Sequence, residues 1–191
     1  MEQIRAFIAV ELPDEIRAAI GKLEEELKSA GNIPVKWVNP GGMHLTLVFL
    51  GNIIDSQIGD ITAAMELAAQ GIPPFTLEAG TPGAFPNLKR VRVVWVGLKG
   101  GTDTLCRLQR RIESNLEPLG FVPEVREFTP HLTLARVRNE ASAAERNRLG
   151  ELIFSTEFEA GIIKVSSVSL MRSQLSRTGA VYSRIRSIEL K

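Results

Sequence analysis

The same four residues occur twice in this chain, as His44-Leu45-Thr46-Leu47 and His131-Leu132-Thr133-Leu134, 87 positions apart. Together they use both histidines of the 191 residues. Each copy alternates polar and apolar residues, the period of a strand with one buried face. His and Thr then project from one side, about 7 Å apart, and the leucines anchor the other. A single copy would be an ordinary amphipathic strand whose histidine is a hydrogen-bonded edge residue. Two copies that exhaust the histidines demand more: a fold that brings two like strands, and two imidazoles, together.

The repetition extends beyond the tetrapeptide. Phe7–Leu12 and Val93–Leu98 both read as strands, 86 positions apart. Each is followed by an amphipathic helix. One spans Asp14–Ala30, with Ile16, Ile20, Leu23 and Leu27 on a stripe; the other spans Thr102–Leu119, with Leu105, Leu108, Ile112 and Leu116. Gly31 and Gly120 stand where helices commonly stop. Helices are also expected at Ser56–Gln70 and Ala141–Leu152. Strands are expected at Phe75–Glu78, Val91–Leu98, Ile162–Leu170 and Tyr182–Leu190. Loops are expected at Asn32–Lys36, Asn39–Gly42, Thr81–Asn87 and Ser173–Ala180. The order fits two β-α-β-α-β-type lobes in a single domain over residues 1–191. Each motif strand is expected near the middle of its sheet.

Several classes of function fall away. No window approaches the roughly 18 apolar residues of a membrane span, and Met1–Arg5 lacks the layout of a signal peptide. One cysteine, Cys106, excludes an internal disulfide and suits a reducing cytoplasm, which is the expected location. It lies in a helical pattern and is expected to be a buried core thiol. A P-loop, a Gly-x-Ser-x-Gly elbow and clustered zinc ligands are all missing. Neither a cofactor nor a metal is expected.

Charge is unevenly spread. Residues 1–95 carry 8 basic and 11 acidic side chains, and residues 96–191 carry 15 and 11. The last stretch holds Lys164, Arg172, Arg177, Arg184, Arg186 and Lys191 against Glu189 alone. Arg90, Arg92, Arg136 and Arg138 add further guanidinium groups, which suit phosphate. A solvated basic edge explains the excess as readily.

Two imidazoles on opposite walls of a groove, one neutral and one charged, form a general base and a general acid. In-line displacement at phosphorus needs such a pair. A proton leaves the nucleophile on one side and another reaches the leaving oxygen on the other. Threonine hydroxyls between them can donate to the non-bridging oxygens.

The sequence resembles the two-histidine phosphoesterases, marked by paired His-x-Thr-x motifs. Within them it is similar to the RNA 2′,3′-cyclic phosphodiesterases, also called 2′-5′ RNA ligases. The likeness rests on Arg5–Ala9, Lys36-Trp37-Val38, His44–Gly51, Phe85-Pro86, Arg90–Trp95, Phe128–Arg136, Ser173-Gln174-Leu175, Gly179 and Tyr182. It implies a bilobal α+β fold, with two mixed or antiparallel sheets facing a central groove and helices outside. It implies metal-independent hydrolysis of a terminal RNA 2′,3′-cyclic phosphate to a 2′-phosphate, with reversible 2′-5′ ligation as a side reaction. RNA ends bearing the cyclic phosphate would be the partner, and the chain a monomer. His44 would be the proton donor and His131 the proton acceptor; the near-symmetric motifs alone cannot order these roles. Thr46 and Thr133 would hold phosphate oxygens, and Arg136 would contact phosphate.

Strand geometry objects to Arg136. It lies five residues after His131, an odd offset that puts it on the reverse face of a regular strand. The equivalent residue after His44 is Phe49, which is expected either to pack in the core or to stack on a terminal base. Trp37 and Tyr182 each divide between substrate contact and burial. Glu11 and Glu78 read as ordinary edge carboxylates. Two other functions fit the residues: a cyclic phosphodiesterase acting on a small nucleotide, and a non-catalytic RNA-end-binding module.

Overall fold

The computed structural model describes residues 3–29, 33–176 and 179–191. Gly31, Arg177 and parts of two expected loops fall outside them. The chain runs β1 (Gln3–Glu11), α1 (Asp14–Ser29), β2 (Val35–Trp37), β3 (His44–Ile54), α2 (Ile58–Ala69), β4 (Phe75–Phe85) and β5 (Val93–Gly100). It continues through α3 (Thr102–Leu116), β6 (His131–Val137), α4 (Ala143–Ser155), β7 (Glu159–Val165), β8 (Ser167–Ser176) and β9 (Gly179–Glu189). No described helix is long and apolar enough to cross a membrane.

The fold is α+β. One sheet has the order β3-β1-β8-β9 and the other β2-β6-β5-β4-β7. Every pairing is antiparallel. Each sheet carries one His-Leu-Thr-Leu strand, and the Cα atoms of β3 and β6 approach within 8 Å. The sheets do not follow the order of the repeat. The first takes two strands from the start of the chain and two from its end, while β2 and β4 cross to the second. Nor are the motif strands central: β3 is an edge, and β6 is flanked outward only by the three residues of β2. An antiparallel strand needs a neighbour running the other way. The C-terminal hairpin β8–β9 meets that need beside β1.

The helices sit where the periodicity puts them. The stripes Ile16, Ile20, Leu23, Leu27 and Leu105, Leu108, Ile112, Leu116 are all buried. Helix α1 has Asp14 and Glu15 in its first turn and Lys28 in its last, matching its dipole. A reciprocal cap opens α4: Ser142 Oγ accepts from Glu145 N (3.2 Å), and Glu145 Oε2 accepts from Ser142 N (2.7 Å). Gly120 takes φ 90° after the end of α3. Leu45, Leu47, Leu132 and Leu134 join one continuous apolar core. Cys106 is half-buried and lies beside its stripe instead of within it, with its thiol pushed up by burial.

Four expected boundaries shift. Thr81–Phe85 continue β4 instead of forming a loop. The Thr-Pro-Gly run is absorbed at an irregularity: the register slips between Gly80 and Pro82, and Thr81 adopts φ 50°. Strand β7 pairs with β4 only as far as Gly80, so proline's missing donor is not needed on that side. The single strand expected over Ile162–Leu170 breaks at Ser166 into β7 and β8, which lie in different sheets. The loop expected at Ser173–Ala180 is largely hairpin: Ser173–Ser176 pair with Gly179–Tyr182. At Asn32–Lys36, Val35 and Lys36 are already strand.

Helix α4 is clamped to the segment before β5. The Arg146 guanidinium donates to the carbonyls of Val91 (2.7 Å), Arg138 (2.8 Å) and Ala141 (3.2 Å). Gly150 meets the backbone of Leu88, where an added Cβ would overlap the carbonyl.

Glu24 is an unusual occupant of the inner face of α1. Its side chain is 1% exposed, one oxygen has no hydrogen-bond partner among the described residues, and the other meets Lys28 Nζ at 3.3 Å. Burial outweighs the lysine and lifts the carboxyl to about 7. A raised folded pKa favours the fold fully below the unfolded value of about 4.3, and that contribution fades as pH rises through 7. We expect Glu24→Gln to be more stable than the parent by about 2–3 kcal/mol at pH 8, with the gap closing towards pH 4. Urea melts across pH 4–8 check this; a constant gap would mean Glu24 keeps an ordinary pKa.

Candidate active site

The two histidines are held by one device used twice. A turn at Pro40–Gly42, capped by Asn39 Oδ1 accepting from Gly41 N at 3.0 Å, leads into β3. The Gly42 carbonyl then lies 2.9 Å from His44 Nδ1. In β6 the carbonyl of Thr129, also two residues earlier, lies 2.6 Å from His131 Nδ1. A carbonyl oxygen only accepts, so Nδ1 carries the proton in each neutral ring. Both Nε2 atoms are left for other work.

Each ring is also packed. His44 stacks on Phe7 (4.4 Å between centroids, 25° between planes) and meets Tyr182 edge-on at 4.8 Å. Tyr182 in turn stands edge-on to Phe7 at 5.4 Å and covers Gly42. His131 meets Phe85 edge-on at 5.1 Å. Burial pulls His44 below the ordinary imidazole value; the Gly42 hydrogen bond opposes this, Arg17 reinforces it and Glu11 opposes it.

The objection to Arg136 is answered by a bulge. In β6, Thr133 pairs with Trp95 and Ala135 with Val94, so Leu134 is an extra residue. Leu134 and Ala135 are both fully buried, and the alternation slips by one. Arg136 therefore pairs with Val93. Val93 shares a face with Trp95 and hence with Thr133 and His131. Strand β3 does the same at the same offset. Thr46 pairs with Ala9 and Val48 with Ile8, so Leu47 is the extra residue. Phe49 then pairs with Phe7, on the face of His44 and Thr46. Phe49 is 75% exposed, which rules out core packing. It borders a cleft of about 210 Å³ against Phe121 and Val122.

The structure thus gathers His44, Thr46, Phe49 and Tyr182 on the first sheet, and His131, Thr133 and Arg136 on the second. Trp37 stays out: it packs against the core opposite Ala135, with Lys28 Nζ 5.1 Å above its ring. Glu78 is exposed and ordinary. Glu11 is not. It pairs with His44 across β1–β3, accepts from Ser169 Oγ at 2.6 Å, and receives both Nε and Nη2 of Arg184 at 2.7 and 2.9 Å. The Arg184 hydrogen bonds hold its carboxyl below the usual range, against the effect of burial. Phe7, Phe85 and Trp95 also belong to this surface. Phe7, Ala9 and Glu11 share the face of β1 opposite to Ile8 and Val10, but Phe7 and Ala9 are as apolar and buried as their neighbours, so the local sequence carries no signal for them. Among the described residues no three His, Cys, Asp or Glu side chains cluster closely enough to hold a metal ion.

Two antiparallel sheets, each opening a strand with His-Leu-Thr-Leu, define a class, and comparison with known proteins gives it a name. Residues 12–177 match the model of the 2′-5′ RNA ligase superfamily, and the chain belongs to that family. It is 36% identical to the RNA 2′,3′-cyclic phosphodiesterase of Methanothermobacter thermautotrophicus, over 95% of this chain and 96% of that protein. It is 34% identical to the enzyme of the same name from Aeropyrum pernix, over 89% and 94%. Among solved structures, E. coli LigT complexed with 3′-AMP superposes with a TM-score of 0.78 at 26% identity, covering 100% and 99% of the two chains. TT0787 of Thermus thermophilus gives 0.78 at 28%, covering 97% of each.

Proposed function

We propose that this protein hydrolyses the 2′,3′-cyclic phosphate at the end of an RNA to a 2′-phosphate, without a metal, using His44 and His131 as acid and base. The observation that carries this reading is the matched Nδ1–carbonyl bond at both rings, with neither Nε2 bonded among the described residues. Its other support is the family, in which relatives covering nearly the whole chain are named RNA 2′,3′-cyclic phosphodiesterases.

On this reading the two lobes form one monomeric domain, and the cyclic ester sits in a groove between the motif strands. Water attacks phosphorus, and His131 Nε2 takes its proton. The P–O3′ bond breaks, and protonated His44 delivers its Nε2 proton to the leaving oxygen. The 2′ ester survives. Thr46 and Thr133 donate to the non-bridging oxygens where charge gathers. Arg136 adds a fixed positive charge beside them. Phe49 offers its ring to the terminal base. Burial lowers the affinity of His44 for its proton; an anionic phosphodiester beside it would oppose that effect and favour the charged ring. With an RNA 5′-hydroxyl in place of water, the same displacement makes a 2′-5′ linkage and needs no ATP.

The test is product identity. Incubated in EDTA with an oligoribonucleotide ending in cyclic phosphate, the protein should release only 2′-phosphate ends. A 3′-phosphate would reverse the leaving-group assignment. No turnover at all would leave an RNA-end-binding module.

A further inference from the structure

A second cleft adjoins the candidate site along the same face of the second sheet. It encloses about 730 Å³ between the second half of β4, the Asn87–Arg90 turn and the end of α4. Small organic ligands generally occupy clefts of about 300–1,000 Å³. Trp95 forms its inner wall. It pairs directly with Thr133 on one side and Gly83 on the other. A Cβ at Gly83 would overlap the indole, so the missing side chain lets the ring lie flat on the backbone. The indole N–H is buried and has no acceptor among the described residues, so the surfaces of its neighbours hold the ring. Its ring lies 5.2 Å from that of Phe85 between centroids, and Phe85 touches His131. Two ring contacts therefore join the cleft to the candidate catalytic imidazole.

The opposite rim is chemically distinct. Phe154 is 81% exposed, although Leu149 and Ile153 on the same helix are buried. Lys89 and Arg90 line the third side, on a turn fixed by Asn87 Oδ1 accepting from both their backbone nitrogens (3.0 and 3.1 Å). Neither cation meets a carboxylate among the described residues, and no acidic residue lines the cleft. Two aromatic side chains and two cations lining one cleft are the ingredients of a single-stranded nucleic-acid platform.

We propose that this cleft holds the nucleotide on the 5′ side of the terminal one, its base against Trp95 and Phe154 and its phosphate at Lys89 and Arg90. The inference rests on the function proposed above and narrows it: the substrate is an RNA chain of two or more nucleotides, not a cyclic mononucleotide. The terminal nucleotide remains with Phe49.

Two measurements test it. In the first, turnover of adenosine 2′,3′-cyclic phosphate is compared with that of a tetranucleotide bearing the same end. The parent should show a KM about tenfold lower for the tetranucleotide. The triple variant Lys89→Ala, Arg90→Ala, Phe154→Ala should lose that advantage and keep the mononucleotide KM. Its tetranucleotide KM should also depend less steeply on salt. Equal KM values in the parent, or equal losses on both substrates, would overturn the proposal. The second needs no turnover: anisotropy titration with a labelled tetranucleotide 2′-phosphate, against unlabelled nucleoside 2′-phosphate as competitor. A preference of about tenfold for the longer product, erased by the triple variant, supports the cleft even if hydrolysis fails. No preference overturns it even if hydrolysis succeeds.

Discussion

His44→Ala and His131→Ala should each lower turnover of a cyclic-phosphate-ended oligoribonucleotide by about 10²–10⁴-fold, with the protein still folded. Neither imidazole carries the core. Each is half-buried at the start of a strand, and the leucines that follow are the buried anchors. On the proposed reading, what each variant loses is the Nε2 that moves a proton at the ester. The double variant should fall little below the worse single one, because proton removal and delivery act as a unit. The pH profile of the parent should be bell-shaped, since one ring must be charged and the other neutral. The single variants then order the roles. In His131→Ala the surviving limb belongs to His44; it should fall with rising pH if His44 is the donor. A limb that rises there would exchange the two assignments. Near-parental activity in either variant would end the acid–base reading.

Gly150→Ala should be the most damaging single methyl in the protein. The added Cβ would overlap the Leu88 carbonyl, and that atom is backbone. It cannot swing aside as a side chain would. Relief needs helix α4 to lift, straining the three Arg146 hydrogen bonds that clamp it. We expect a loss of about 3 kcal/mol, the upper end for overpacking a tight contact, read as a lower urea midpoint at constant slope. A change below about 0.5 kcal/mol would mean the helix and turn are loosely joined.

The parts of the fold legible from the sequence were those written in local periodicity. The apolar stripes of α1 and α3, the apolar run of β1 and the alternation that opens β3 and β6 each appear in consecutive residues. The pairing of strands does not. Nothing local tells β4 that it will join β5 and β7 while β3 joins β1, because that choice is made by surfaces distant in the chain. The candidate site divides in the same way. His44, Thr46, His131 and Thr133 are visible as a repeated word. Glu11 reads as an ordinary edge carboxylate because its partners, Ser169 and Arg184, are more than 150 residues away. Arg136 stood on the wrong face by counting, since a strand's parity changes wherever one strand of a pair holds a residue its partner does not match.

On the proposed reading, those two unmatched leucines also bear on polarity. Walls that were true copies would present a five-membered cyclic ester with the same reception either way round, and either ring oxygen could be expelled. Because Leu47 turns a phenyl ring inward and Leu134 a guanidinium, the twofold likeness ends one step beyond the threonines. On the reading proposed above, a substrate with a base at one end and an anion at the other has a single way to lie down, and a duplicated scaffold acquires a direction.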